Sequence, residues 1–285
     1  MEEFERILLY VGRERILTPF EWIDRLSAGA LEPHHICITF DDGLRSQSTH
    51  ALPVLDRHKL KAFWFVCSCV FEGRPVMSEV YSHAAARLGG MDAFIARFLK
   101  RAPQEMLVLL DSPAFADYAA RTRGVAPFYS DDDLRYRFLR NRSESRPEFD
   151  AVVEELLREH GISPDALASQ LWITDAQLRS LAQQGHAIGL HSYDHPYALA
   201  ELPRQQQRDQ YRRNFEHIST ATGQPPRSMS HPLNSYNDHS LAILWELGIQ
   251  CGFRANMQPC AAGINPTPLE FAREDSALLL RAASA

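Results

Sequence analysis

Two short segments of this chain carry residue types that can hold a metal ion and activate water. Asp41-Asp42 follows the apolar run Ile36-Cys37-Ile38-Thr39-Phe40, and His191 and His195 lie four apart in His191-Ser192-Tyr193-Asp194-His195, directly after Ala187-Ile188-Gly189-Leu190. Two imidazoles at this spacing can converge on one ion from a helical turn or a tight loop. A carboxylate from a neighbouring strand end then completes a three-ligand, open-sided site. Each half is weak alone: a pair of aspartates after a strand also serves as a helix cap, and an H-x-x-x-H by itself is as readily a surface or packing feature.

The elements around these segments read as parallel α/β. Thr18-Pro19-Phe20-Glu21 opens a helix expected to run to about Ala28, with a cap residue, proline at the first helical position and glutamate three residues after the cap. Ile36 to Phe40 reads as a buried strand that stops at Asp41-Asp42-Gly43, a helix follows through Leu55, and Ala62-Phe63-Trp64-Phe65-Val66 is a second buried strand. Strand, helix, strand predicts a parallel sheet. From Phe71 to Leu171 the texture turns to charge-rich amphipathic helices, including Glu79 to Leu99 and Pro147 to His160, which mark a helical insertion at 72–170 of a single 1–285 domain. The α/β rhythm resumes at the capping box Thr174-Asp175-Ala176-Gln177 and the strand Ala187 to Leu190. Helices over Pro203 to Thr222 and Ser240 to Leu247 follow, with strands at Ile249 to Phe253 and Leu278 to Leu280. In such folds sites are built where apolar strands end, which is where both polar segments fall.

Composition excludes some classes. The 285 residues hold 30 Lys+Arg against 36 Asp+Glu, a net charge of −6, which argues against a nucleic-acid partner. No run approaches the roughly 18 apolar residues of a membrane span, and the acidic start Met1-Glu2-Glu3-Phe4-Glu5 is unlike a secretory signal. Five cysteines, none in a C-x-x-C pair, suit buried free thiols in a reducing compartment. The expected location is cytoplasmic.

Taken together, Thr39-Phe40-Asp41-Asp42-Gly43, Phe63-Trp64-Phe65-Val66, Leu181 through Gly189, and His191-Ser192-Tyr193-Asp194-His195-Pro196 resemble successive signatures of the polysaccharide deacetylase (NodB-homology) carbohydrate esterases. The resemblance covers about 31 to 71 and 171 onward. It implies a distorted (β/α) barrel, here with a helical insertion, and removal of acyl groups from N-acylated, sometimes O-acylated, sugars with one divalent metal. Zinc is the first choice of ion, and cobalt, nickel or iron also suit the donor set. The resemblance assigns Asp41 as the general base and Asp42, His191 and His195 as metal ligands.

Two signatures depart from the family pattern. The usual Arg-x-Pro-Tyr-Gly stretch, with an arginine that orients the base, corresponds to Arg227-Ser228-Met229-Ser230-His231-Pro232-Leu233-Asn234-Ser235-Tyr236. Ser230 or His231 stands in the arginine position, and Leu233, Asn234 and Ser235 become the candidate oxyanion and substrate loop. The family's Leu-x-x-His, source of the general acid, corresponds to Leu269-Glu270-Phe271-Ala272, with no histidine after His239. His231 is then the candidate acid, and Arg254 or Arg273 the candidate for the missing arginine or for an anionic substrate. The insertion is expected either to cover the mouth as a lid or to serve as a helical packing or dimerisation subdomain.

The resulting expectation is a metal-dependent hydrolase that removes an N-acetyl or N-formyl group from a sugar, free or lipid-linked, in cell-surface glycan assembly. The alternative is a carbohydrate-binding homologue that keeps the metal site but has lost turnover. A phosphohydrolase using the aspartate pair would leave His191 and His195 unexplained.

Overall fold

The computed structural model describes residues 1–127, 129–142, 146–257 and 263–284. Chain contacts divide it into two units, Met1–Arg74 with Trp172–Ala285, and Pro75–Leu171. In chain order the first unit begins with α1 (Glu2–Val11), α2 (Pro19–Ser27), β1 (Thr39–Phe40), α3 (Arg45–His50), α4 (Leu52–Arg57) and β2 (Phe63–Val66). The second unit contains α5 (Met77–Arg87), α6 (Met91–Arg101), α7 (Gln104–Leu107), α8 (Pro113–Val125), α9 (Asp131–Arg140), α10 (Arg146–Glu159) and α11 (Pro164–Leu171). The first unit resumes with α12 (Asp175–Gln183), β3 (Ala187–Leu190), α13 (Arg204–Thr222), β4 (Ser228–Ser230), α14 (Asp238–Glu246), β5 (Cys251–Phe253) and α15 (Ser276–Ala282).

Among the described residues, five strands, all parallel, stand in the order β1-β2-β3-β4-β5, a curled sheet that forms the half-barrel of the expected distorted (β/α) barrel. Side chains alternate across it. Trp64, Val66, Ile188, Leu190 and Met229 face the surrounding helices. Phe63, Phe65, Ala187, Cys251 and Phe253 pack inward with Leu17, Trp22 and Ile23. Gly189 has to be glycine: a Cβ there would lie 2.6 Å from the Phe65 ring and 2.7 Å from the Ser228 carbonyl oxygen. Beyond β5, Phe271 pairs with Phe253 in a parallel bridge, and Trp22 packs edge-on against Phe271 at 5.4 Å.

Capping explains the predicted helix starts. Thr18 and Glu21 form the reciprocal box that opens α2, and Thr174 and Gln177 the one that opens α12. Other expectations are corrected. Leu278 to Leu280 belongs to α15, not a strand: Asp275 caps the Ala277 N–H at 2.7 Å, and Ala, Leu and Arg are strong helix formers with no β-branched residue among them. Glu79 to Leu99 is split into α5 and α6 by Gly89 and Gly90, with φ of 92° and 98°. The helix predicted through Leu55 is two short ones, α3 and α4. Helix α1 was not anticipated. Cys67, Cys69 and Cys251 are buried free thiols and Cys37 is half-buried, while Cys260 lies outside the described residues. Among the described residues no helix is long and apolar enough to cross a membrane.

Candidate metal centre and active site

Every side chain of the site leaves the same end of the sheet. Asp41 and Asp42 follow β1, His191 and His195 follow β3, and Ser230 and His231 end and follow β4. Among the described residues, five of the six non-glycine residues with positive φ lie here: Asp42 (70°), Ser192 (66°), His195 (56°), Leu233 (48°) and Asn234 (61°). Such conformations persist only where surrounding structure over-determines them.

Asp42, His191 and His195 each bring a ligand atom into one group spanning at most 4.8 Å. Asp42 Oδ1 is 3.5 Å from His191 Nε2 and 3.6 Å from His195 Nε2. Donors about 2 Å from a tetrahedral ion lie about 3.3 Å from one another, so the spacing suits a shared cation. The donor set fits in two further respects. Asp42 Oδ1 is buried with no hydrogen-bond partner among the described residues. His191 Nδ1–H donates to the Ser230 carbonyl at 2.9 Å, which leaves the Nε2 lone pair directed at Asp42. Burial lowers the His191 pKa despite the pull of Asp41 and Asp42, keeping the ring neutral as a ligand must be. Burial also drives Asp42 up to about 6, an effect that the Asp41 charge reinforces: two adjacent half-buried carboxylates call for positive charge.

Asp41 obtains its own. Arg273 donates from Nη1 to Asp41 Oδ1 at 2.8 Å and from Nη2 to Oδ2 at 2.7 Å, a two-pronged pair. Ser230 Oγ adds a third bond at 3.2 Å, and Gln47 Nε2 donates to the Asp41 carbonyl at 2.7 Å. Burial alone would raise the Asp41 pKa; the charge of Arg273 and the hydrogen bonds from Arg273 and Ser230 override it and hold the carboxyl well below the usual range. Arg273 also donates to Thr39 Oγ1 at 3.2 Å and, through Nε, to the Arg254 carbonyl at 2.7 Å. It thereby ties the segment beside β5 back to β1.

The sequence pattern of the polysaccharide deacetylase family matches residues 28–83 and 143–252, more than half of the 285. The chain belongs to the polysaccharide deacetylase family. Its fold is similar to that of the Streptococcus pyogenes deacetylase PplD in complex with acetate, with 16% identity, a TM-score of 0.53, and coverage of 98% of this chain and 85% of that one. It is also similar to IcaB from Ammonifex degensii, with 15% identity, a TM-score of 0.54, and coverage of 99% and 87%. No curated protein matches the chain.

Against the family's usual pattern, the remaining candidates divide. Arg273 reaches Asp41, whereas Arg254 does not: buried, it donates from Nε to the Glu270 carbonyl at 3.0 Å and from Nη2 to the Ile264 carbonyl, bracing the loop that delivers Arg273. His231 has the surroundings of a packing residue. It is 1% exposed, Nε2–H donates to the Leu269 carbonyl at 2.8 Å, and the ring stacks on Tyr236 at 4.0 Å. Burial takes its pKa down to about 3, so at neutral pH it carries no proton to give beyond the one held by the carbonyl. In the Leu233 to Ser235 loop, the Asn234 and Ser235 N–H groups donate to the carbonyls of His231 and Pro232 at 3.2 and 2.8 Å. Leu233 is bent to φ 48° and is 42% exposed.

Sequence reasoning missed Ser230 as a partner of both Asp41 and His191, and it missed the carboxamides of α13. The signal was present in Gln207, Gln210 and Asn214, whose spacing of three and four puts amides on one helix face, where Gln207 and Asn214 are fully buried.

Proposed function

We propose that this chain is a metal-dependent deacylase of N-acylated sugars, with Asp42, His191 and His195 as ligands of one divalent ion, zinc by preference, and Asp41 as general base. The observation that carries this reading is the meeting of Asp42, His191 and His195 within 4.8 Å beside an Asp41 gripped by Arg273. A divalent ion so held would polarise the acyl oxygen and lower the pKa of water.

The chain's own residues do the rest. Asp41, ionised and fixed at both oxygens by Arg273, accepts the proton of the attacking water. Arg273 sets the carboxylate's direction and restrains it from swinging toward the ligands. Ser230 aligns base and ligand together, through its hydroxyl on Asp41 and its carbonyl on His191. The Leu233 N–H is the candidate donor to the developing oxyanion. Asp41, once protonated, is the acid that returns the proton to the leaving amine, a reading that the burial of His231 supports. An acetyl or formyl group on a saccharide of cell-surface glycan assembly, handled in the cytoplasm, completes the reading.

The test has two arms. Metal-loaded protein is incubated with a panel of N-acetyl and N-formyl sugars, and released acetate and formate are assayed. Elemental analysis is run on the wild type and on Asp42→Ala, His191→Ala and His195→Ala. Release of acid together with loss of metal in all three variants is expected; full occupancy in all three would remove the proposed ligands. Metal binding without release from any sugar would favour the second reading, a binding homologue without turnover, which the burial of His231 also favours.

A further inference from the structure

The histidine loop is held by helix α13, and the way it is held departs from an ordinary sheet end. In a parallel ladder the N–H of one strand donates directly to a carbonyl of its neighbour. The register of β2 with β3 ends at Val66 opposite Leu190, one residue before His191, and there a side chain takes over. Asn214 Nδ2 donates to the Val66 carbonyl at 2.9 Å, and Asn214 Oδ1 accepts from the His191 N–H at 2.9 Å. The carboxamide, a peptide group on a side chain, is inserted between the two strands and satisfies one group on each.

The chain is thereby free to leave the sheet at Ser192, with φ 66°, without stranding buried main-chain groups. One turn earlier on the same face of α13, Gln210 Oε1 accepts from the N–H groups of Tyr193 and Asp194 at 3.0 and 3.1 Å, and its Nε2 donates to Asp194 Oδ1 at 2.8 Å. Arg213 of the same helix lies 3.5 Å over the Tyr193 ring. Asn214 is fully buried, so its loss leaves two main-chain groups unpaired in the interior.

We infer that Asn214, assisted by Gln210, is the positioning residue of the metal centre: it acts through the His191 main chain and sets how closely the Nε2 atoms of His191 and His195 approach Asp42. This rests on the metal reading above. It assigns α13 a role beyond covering the sheet, since two of its amides fix the backbone from which two ligands project.

The experiment measures Zn2+ and Co2+ affinity, by competition with a chromophoric chelator, on the full chain and on Asn214→Ala, Asn214→Asp, Gln210→Ala and Ile218→Ala. Ile218 is the control, fully buried on the same helix one turn beyond Asn214. Asn214→Ala is expected to weaken both ions about 10- to 100-fold. Asn214→Asp should weaken them less, because a carboxylate accepts from His191 but cannot donate to Val66. Ile218→Ala should lower the melting temperature and leave affinity unchanged. Should Asn214→Ala fail to fold, Asn214→Asp and Gln210→Ala carry the comparison. Affinities in the Asn214 and Gln210 variants no weaker than in Ile218→Ala overturn the inference while the metal reading stands. A wild type that binds no better than Asp42→Ala overturns the metal reading, and this inference with it.

Discussion

Replacing Arg273 by alanine removes two charge-assisted bonds to Asp41, one bond to Thr39 and one to the Arg254 carbonyl. The side chains of Arg273 and Asp41 are 16% and 27% exposed. Removing one partner of a buried pair costs about 3 to 5 kcal/mol, and this residual exposure argues for the lower end. A loss of about 3 kcal/mol corresponds to a fall in melting temperature of about 6 °C for a chain of this size. The penalty comes mainly from the stranded Asp41 carboxylate, so it should shrink when Asp41 is neutralised too. In chelator-treated protein, a double-mutant cycle of Arg273→Ala, Asp41→Asn and the double variant should return a coupling of about 2 kcal/mol. In the metal-loaded enzyme Arg273→Ala should lower kcat/KM about 100-fold, the cost of an unaligned base, and Arg273→Lys should recover only part because ammonium cannot grip both oxygens. A coupling under about 0.5 kcal/mol would refute the argument that this pair holds the base, whatever the activity.

Two other outcomes follow from buried histidines. His186 is 1% exposed, and its Nδ1 accepts from the Ala62 N–H and the Trp64 Nε1–H; burial takes its pKa down to about 4. The unfolded chain, with an ordinary histidine near 6.5, takes up the proton first. Stability is therefore full above about pH 6.5 and falls as pH drops toward 4, by on the order of 3 kcal/mol from this group. Urea midpoints across that range should fall more steeply in the wild type than in His186→Gln, and parallel curves would exclude the assignment. For His231, alanine should cost stability through the lost stack on Tyr236 yet leave the basic limb of the kcat profile in place; disappearance of that limb would restore His231 as the acid.

Much of the site was legible in the chain itself because it depends on local facts. A short apolar strand ending in Asp41-Asp42-Gly43 and another ending in His191 can be read from pattern alone, and both polar segments had to fall at strand ends. The capping boxes at Thr18 and Thr174 were equally local, with every partner within three residues. The error at Leu278 to Leu280 has the opposite character: a three-leucine run suits strand or helix, and Asp275 as a cap decides between them.

Other features depend on residues far apart in sequence. That an arginine should accompany Asp41 was implied by the family resemblance, but Arg273 and Arg254 were equal candidates until the segment pairing with Phe253 aimed one at Asp41 and the other at loop carbonyls. His231 looked like an available imidazole, and its burial against Tyr236 and the Leu269 carbonyl is visible only in the tertiary structure. Asn214 looked like one polar residue among many in a helix. Residue types and strand ends thus determined which groups were available to this protein; the curl of the sheet and the packing of α13 decided which of them meet, because contacts between distant segments depend on the three-dimensional path of the chain, which local pattern does not encode.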